Sequence, residues 1–257
     1  MNRINQLFQH KKSGIRSVYF TAGFPNLNDT IDILCTLEKA GIDLVEIGMP
    51  FSDPLADGPV IQQSSTVALK NGMTITLLFE QLKNIRQKVN IPLVLMGYMN
   101  PVLQYGVENF CKMAAACGID GLILPDMPAE VYEQHYQELF QKHNLHHILL
   151  ITPRTSDDRI RYIDQLSGGF LYAVSSSATT GNVQQNKEGQ EVYFKRLSQL
   201  NLKNPVLIGF GISNKEQLEH ACQYAAGAVI GTAFIKQLSN SDKELPLRVR
   251  DFVKSLD

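Results

Sequence analysis

The 257-residue chain has 25 acidic and 24 basic side chains, a net charge of −1, so it has no electrostatic footprint for nucleic acid or an anionic membrane. Its 44% hydrophobic content supplies a large core, but no run approaches the ~18 apolar residues of a membrane span, and MNRINQLFQHKK lacks a secretory signal core. Cys35, Cys111, Cys117 and Cys222 show no C-x-x-C spacing and sit among apolar neighbours, which predicts reduced thiols in a soluble, cytoplasmic protein.

In chain order, an opening helix over about 2–11 places Ile4, Leu7 and Phe8 on one face and precedes a strand at 17–21. Asn28 or Asp29 can cap a helix that ends at Gly41, and a strand at 44–48 follows. Helical segments near 60–70 and 75–88 come next. The alternation then continues with strands at 93–97, 121–124, 147–151, 170–174, 205–209 and 227–230. Helices at 105–117, 129–143, 156–166, 189–199, 214–225 and 242–255 separate or follow them. Alternation of this kind builds a parallel sheet with right-handed crossovers. Eight strand–helix units in this length favour a closed (β/α)8 TIM barrel, with an extra N-terminal helix, over an open doubly wound sheet. No Pro/Ser-rich linker or charge run divides the chain, so 1–257 reads as a single domain. No Gly-x-Gly-x-x-Gly follows the first strand, which argues against a dinucleotide site.

The stretch 44–59, LVEIGMPFSDPLADGP, carries the strongest chemical signal. Period two sends Leu44, Glu46 and Gly48 to one face, so Glu46 points into the barrel near the strand's C-terminal end. A strand interior is a costly place for a carboxylate, and packing alone gives no reason to keep one there. Pro50, Pro54 and Pro59 stiffen the following loop and bring Asp57 back over the same mouth. Two carboxylates in unlike surroundings suit acid and base work at neutral pH. On the plainer reading, Asp53 and Asp57 only cap turns.

The loop SSSATTGNVQQNKEG after the sixth strand is long and polar, as lids are, although a plain surface loop has the same composition. Gly209-Phe210-Gly211-Ile212-Ser213 and Gly231-Thr232-Ala233-Phe234 lie where strands turn into helices, and with Thr180-Gly181 they predict a charge-free cradle for one phosphate monoester. His10, His135, His143, His146, His147 and His220 show no metal-ligand spacing, and His146-His147 reads as a solvated loop pair; no metal site is expected. No lysine ends a strand in this reading, so a Schiff-base mechanism lacks its nucleophile.

These residues resemble the α subunit of tryptophan synthase. The resemblance rests on YFTAGFP (19–25), EIGMPFSDPLADGP (46–59), Tyr98–Asn100–Pro101, PDMP (125–128), TTG (179–181), GFGIS (209–213) and IGTAFI (230–235), and runs from the first strand to the last helix. It implies retro-aldol cleavage of indole-3-glycerol phosphate to indole and glyceraldehyde 3-phosphate. The family's catalytic Glu and Asp fall on Glu46 and Asp57. Glu46 is then the proton shuttle, and Asp57 binds the indole N–H and stabilises positive charge on the ring. The resemblance also implies Tyr172 beside Glu46, an indole slot that includes Tyr19 and Ile151, and Thr180 closing onto Asp57. Backbone amides of Gly181, Gly211 and Thr232, with Gly231 beside them, hold the phosphate. The sequence departs from the common pattern at SSSATTG (175–181), where Arg-Ala/Gly-Val-Thr-Gly is frequent, and at Thr232, where Ser is usual.

The family works as an αββα assembly in which indole passes to a pyridoxal-phosphate β subunit, so no cofactor is expected in this chain. The partner surface implied is the mouth, including 53–58, Asn100–Pro101 and Pro128. Two alternatives stay open. Another phosphosugar barrel of indole or histidine biosynthesis would need a different acid/base set, and a catalytically weak allosteric partner of the β subunit would be expected to have lost Glu46 or Asp57.

Overall fold

The structure is a computed structural model. It describes residues 1–174, 183–209, 211–240 and 242–257, apart from the side chains of 183–187. Among the described residues nine strand segments, all parallel, make one sheet: β1 (Ile15–Thr21), β2 (Leu44–Gly48), β3 (Leu93–Met96), β4 (Gly121–Ile123), β5 (His146–His147), β6 (Leu150–Ile151), β7 (Leu171–Val174), β8 (Val206–Gly209) and β9 (Gly227–Ile230). The order β5-β4-β3-β2-β1-β9-β8-β7-β6 begins and ends on the two halves of one stretch of chain. Between them the Ile148 N–H still donates to the Leu122 carbonyl (2.9 Å), and the Tyr172 N–H donates to the Leu149 carbonyl (3.0 Å). The expected strand over 147–151 is thus β5 plus β6, and it closes the sheet into a (β/α)8 TIM barrel.

Every residue of β2, β3, β4 and β9 is buried, as for strands with packed side chains on one face and helices on the other. The early helices are α1 (Arg3–His10), α2 (Thr30–Lys39), α3 (Pro59–Lys70) and α4 (Ile75–Leu82). Next come α5 (Met99–Tyr105), α6 (Val107–Ala116), α7 (Ala129–Val131), α8 (Gln137–Lys142) and α9 (Asp157–Leu166). The last four are α10 (Val183–Gln199), α11 (Lys215–Cys222), α12 (Thr232–Ser239) and α13 (Leu245–Lys254). Short polar side chains start several of them: Asn2 accepts from the Ile4 N–H (2.9 Å), Thr74 from Leu77 (3.1 Å) and Asn214 from Gln217 (2.9 Å).

Some expected elements divide. The helix over 105–117 is α6, and an unexpected helix, α5, precedes it; Gly106 separates the two with a φ of +86° that a side-chain-bearing residue adopts only with strain. The helix over 75–88 ends at Leu82 and is followed by a 3-10 turn at Ile85–Gln87. Between α7 and α8, Tyr132–Tyr136 forms a π-helical turn.

α1 seals the bottom of the barrel. The Asn2 side-chain amide donates to the carbonyls of Asp120 (2.7 Å) and Asn144 (2.9 Å). Arg3 and Arg86 both pair with the buried Asp120 carboxylate, at 3.2 and 2.5 Å. Among the described residues no helix is long and apolar enough to cross a membrane. All four cysteines are free: Cys111 and Cys117 lie in the core, whereas Cys35 and Cys222 are half-buried.

Candidate active site

At the C-terminal ends of the strands a cavity of about 350 Å³ is lined by Tyr19, Asp57, Ile61, Met96, Tyr172, Gly211, Ile212, Ser213, Val229, Gly231, Thr232, Ala233 and Lys236. This is the catalytic face of such barrels, and the volume suits one small ligand. The structure thus joins Tyr19, Asp57, Tyr172, Gly211, Gly231 and Thr232 in one space. Thr180 and Gly181 lie outside the described residues. Ile151 is fully buried in β6 and is not among the lining residues.

Glu46 is 0% exposed and does not line the cavity. It is level with Tyr19 on the neighbouring strand, and its Oε1 accepts a 3.2 Å hydrogen bond from Ser17, which lies deeper in the barrel, level with Leu44. Oε2 has no hydrogen-bond partner among the described residues. Burial drives the carboxyl up to about 8, partly offset by the Ser17 hydroxyl. Glu46 is therefore an acid at neutral pH. Above it, the Tyr19 ring occupies the space a side chain at Gly48 would need: a Cβ there would lie 2.2 Å from the Tyr19 oxygen. A Cβ at Gly209 would meet the Tyr172 oxygen in the same way. The two glycines seat two phenols at the cavity floor. Burial holds the Tyr172 phenol well above its ordinary range, and the charges of Glu46 and Asp57 add to that rise.

Asp57 is half-buried at the cavity wall. Burial raises it to about 6, and a hydrogen bond from the Tyr98 phenol (3.0 Å) opposes that rise. At neutral pH it is mostly ionised. Two carboxyls at one barrel mouth thus hold opposite protonation states, for environmental reasons visible in the structure.

At the other end of the cavity, Gly211 has φ +79° and leads through Ile212 and Ser213 to Asn214, the N-cap of α11. Gly231 is the N-cap of α12, whose first-turn amides receive no side-chain cap. Uncapped amides at a helix N-terminus, opening onto a cavity, suit an anion. The cradle is not charge-free as expected from the sequence: Lys236, one turn beyond Thr232 on the same face of α12, lines it and has no ion-pair partner among the described residues. The i,i+4 spacing of Thr232 and Lys236 was the available signal, but it shows only once α12 is recognised as a helix.

The histidine pair also differs from expectation. His146 and His147 form β5 and are not in a solvated loop. His147 is buried against Tyr132 and Phe140, with ring centroids 4.4 and 5.7 Å away, and neither ring nitrogen has a hydrogen-bond partner among the described residues. Among the described residues no group of three or more His, Cys, Asp or Glu side chains is placed to hold a metal ion.

A (β/α)8 barrel with two carboxyls and uncapped helix N-terminal amides at its C-terminal face is the architecture of an acid–base enzyme acting on a small anionic substrate. The match to one family model, "Tryptophan synthase alpha chain", covers residues 6–255. The chain is 61% identical to the tryptophan synthase alpha chain of Flavobacterium psychrophilum over 241 residues, which is 94% of this chain and 95% of the relative. It is 58% identical to that of Flavobacterium johnsoniae, with 98% of each chain covered. Among solved structures, the alpha chain from Legionella pneumophila superposes with a TM-score of 0.84 at 31% identity, covering 100% of this chain and 96% of that one. A tryptophan synthase complex from Pyrococcus furiosus superposes with a TM-score of 0.85 at 31% identity, covering 96% and 98%. The chain belongs to the tryptophan synthase alpha chain family, and it is a lyase that catalyses the aldolase half-reaction on indole-3-glycerol phosphate.

Proposed function

We propose that Glu46 and Asp57 divide the acid–base work of the retro-aldol cleavage. The observation that carries this reading is the split of their pKa values to either side of neutrality, about 8 and about 6, at one barrel mouth. Neutral Glu46 gives its proton to indole C3, which makes the ring a competent carbon leaving group. The resulting carboxylate then takes the proton of the glycerol hydroxyl as the carbon–carbon bond breaks, which forms the aldehyde and frees indole. The proton is conserved, and Glu46 ends protonated as it began. Ionised Asp57 accepts the indole N–H and stabilises the positive charge that C3 protonation places on the ring.

The withdrawn carboxyl of Glu46 needs only side-chain rotation, from Ser17 toward the cavity, to reach the substrate. Tyr19, Tyr172 and Ile151 form or back the indole slot. The amides of Gly211, Gly231 and Thr232 hold the phosphate together with Lys236. Thr180 and Gly181 are assigned on family resemblance to closure over Asp57 and to the phosphate. We read 1–257 as one domain.

The partner in this reading is a pyridoxal-phosphate β subunit in an αββα assembly, which takes up the indole and holds the cofactor. Leu55, 90% exposed, and Leu103, 52% exposed, project from the loop and helix beside the mouth, where a partner would cover them. The test is indole release from indole-3-glycerol phosphate, with and without an added β subunit, for the native chain, Glu46→Gln and Asp57→Asn. Activity that rises with the partner and falls by about two or more orders of magnitude in both variants supports the assignment. Retained activity in Glu46→Gln overturns it.

A further inference from the structure

Tyr98 follows β3 and Gly97 and is the N-cap residue of α5. It is only 8% exposed and does not line the cavity, yet its phenol bridges two residues of the loop that carries the acid. The Ala56 N–H donates to the phenol oxygen at 3.0 Å, and the phenol O–H donates to Asp57 Oδ2 at 3.0 Å. The ring cannot easily turn away: it packs against Phe51 with centroids 5.4 Å apart, and the next residue is anchored because the Met99 N–H donates to both oxygens of Asp126 at 3.0 Å. The loop after β2 thus meets the end of β3 at one phenol, and the loop after β4 anchors the residue that follows it.

The bonding is directional. The Ala56 amide fills the phenol's acceptor side, so its single proton is committed to Asp57. Among the described residues no other side chain donates to the Asp57 carboxylate, and Gln62 instead donates to the Asp57 backbone carbonyl at 2.9 Å. We propose that Tyr98 positions Asp57: by holding Oδ2 through its phenol, it fixes the plane of the carboxylate and presents Oδ1 to the N–H of the bound substrate. This rests on the role of Asp57 proposed above.

The same contact acts on ionisation. A hydrogen bond to the charged form favours it, so the phenol counters the burial that raises Asp57. The other titratable groups facing this carboxyl are the phenols of Tyr19 and Tyr172, and Lys236 lines the same cavity. Both phenols are held above their ordinary range by burial, so they do not titrate with it. Tyr98 is likewise pushed up by burial and stays a neutral donor.

The test is Tyr98→Phe, which keeps the ring on Phe51 and removes one oxygen, measured beside Asp57→Asn with indole-3-glycerol phosphate and the β subunit. The expected result is a kcat about ten- to a hundredfold lower at pH 7, a KM within about twofold, and an acid limb of the pH–rate profile about one unit higher. A urea midpoint equal to that of the native chain shows that the fold is intact. An inactive Asp57→Asn beside a Tyr98→Phe with native kcat and an unmoved limb overturns the positioning role and leaves Asp57 standing. Full activity in Asp57→Asn overturns the reading of Asp57 itself and, with it, this inference. A loss in Tyr98→Phe that matches a lower urea midpoint, with no change in the limb, overturns it in favour of a structural role.

Discussion

Glu46→Gln should cost activity and add stability, by an amount that depends on pH in a way the native structure dictates. The buried carboxyl titrates at about 8 in the folded chain, against the ordinary value of 4.5. Below pH 4.5 it is protonated both folded and unfolded, and glutamine and glutamic acid are then nearly equivalent. Between pH 4.5 and 8 the unfolded chain has lost the proton that the folded chain keeps, so native stability falls as pH rises. At about 1.4 kcal/mol per unit, the deficit reaches about 3 kcal/mol at pH 7 and levels off near 5 kcal/mol above pH 8. Glutamine fills the same volume, can still accept from Ser17, and never ionises. The stability difference between variant and native chain should therefore start near zero at pH 4.5 and grow along that curve. The chain has no tryptophan, so the assay is urea unfolding followed by circular dichroism at several values between pH 5 and 9. A difference that does not change across this range would refute the idea that burial holds Glu46 neutral.

Three further outcomes follow from the site and its surroundings. If the reaction starts from ionised Asp57 and protonated Glu46, kcat/KM is lost below about pH 6 and above about pH 8; a plateau that continues through pH 9 would mean that Glu46 begins as the carboxylate. Lys236→Ala should raise KM for the phosphorylated substrate about tenfold with little change in kcat, because it removes a charge-assisted contact made before and during the reaction; an unchanged KM would take Lys236 out of the cradle. His147 is held down from 6.5 to about 3 by burial, so native stability falls as pH drops from 6.5 towards 3; His147→Leu should flatten that slope and unfold at lower pH, and an unchanged acid midpoint would count against it.

The alternation of strands and helices was readable because buried parallel strands appear as short apolar runs, and β2 and β9 fall at the expected residues. Glu46 stood out because it breaks such a run. The helix α5 was hidden by Pro101, which reads as a breaker. It is the third residue of the helix, within the first turn, where a missing N–H leaves no bond unmade. His147 was misjudged because a polar pair suggests solvent, although alternation in a strand sends its two members to opposite faces. The phenol floor was beyond reach for a different reason. That Gly48 makes room for Tyr19 depends on two strands lying side by side, which no local pattern encodes.

The seal made by α1 also sets an order of events during synthesis. Asn2 leaves the ribosome well before the carbonyls that receive its amide, which belong to Asp120 and Asn144, 118 and 142 positions later. At ~5–20 residues per second, the helix waits roughly 6–24 s for the first of them. Throughout that interval Ile4 and Phe8, buried in the finished protein, have no barrel floor to rest on. α1 is thus made long before it can dock, and a bulky fusion placed ahead of Asn2 would interfere with this late step, leaving the distant catalytic mouth untouched.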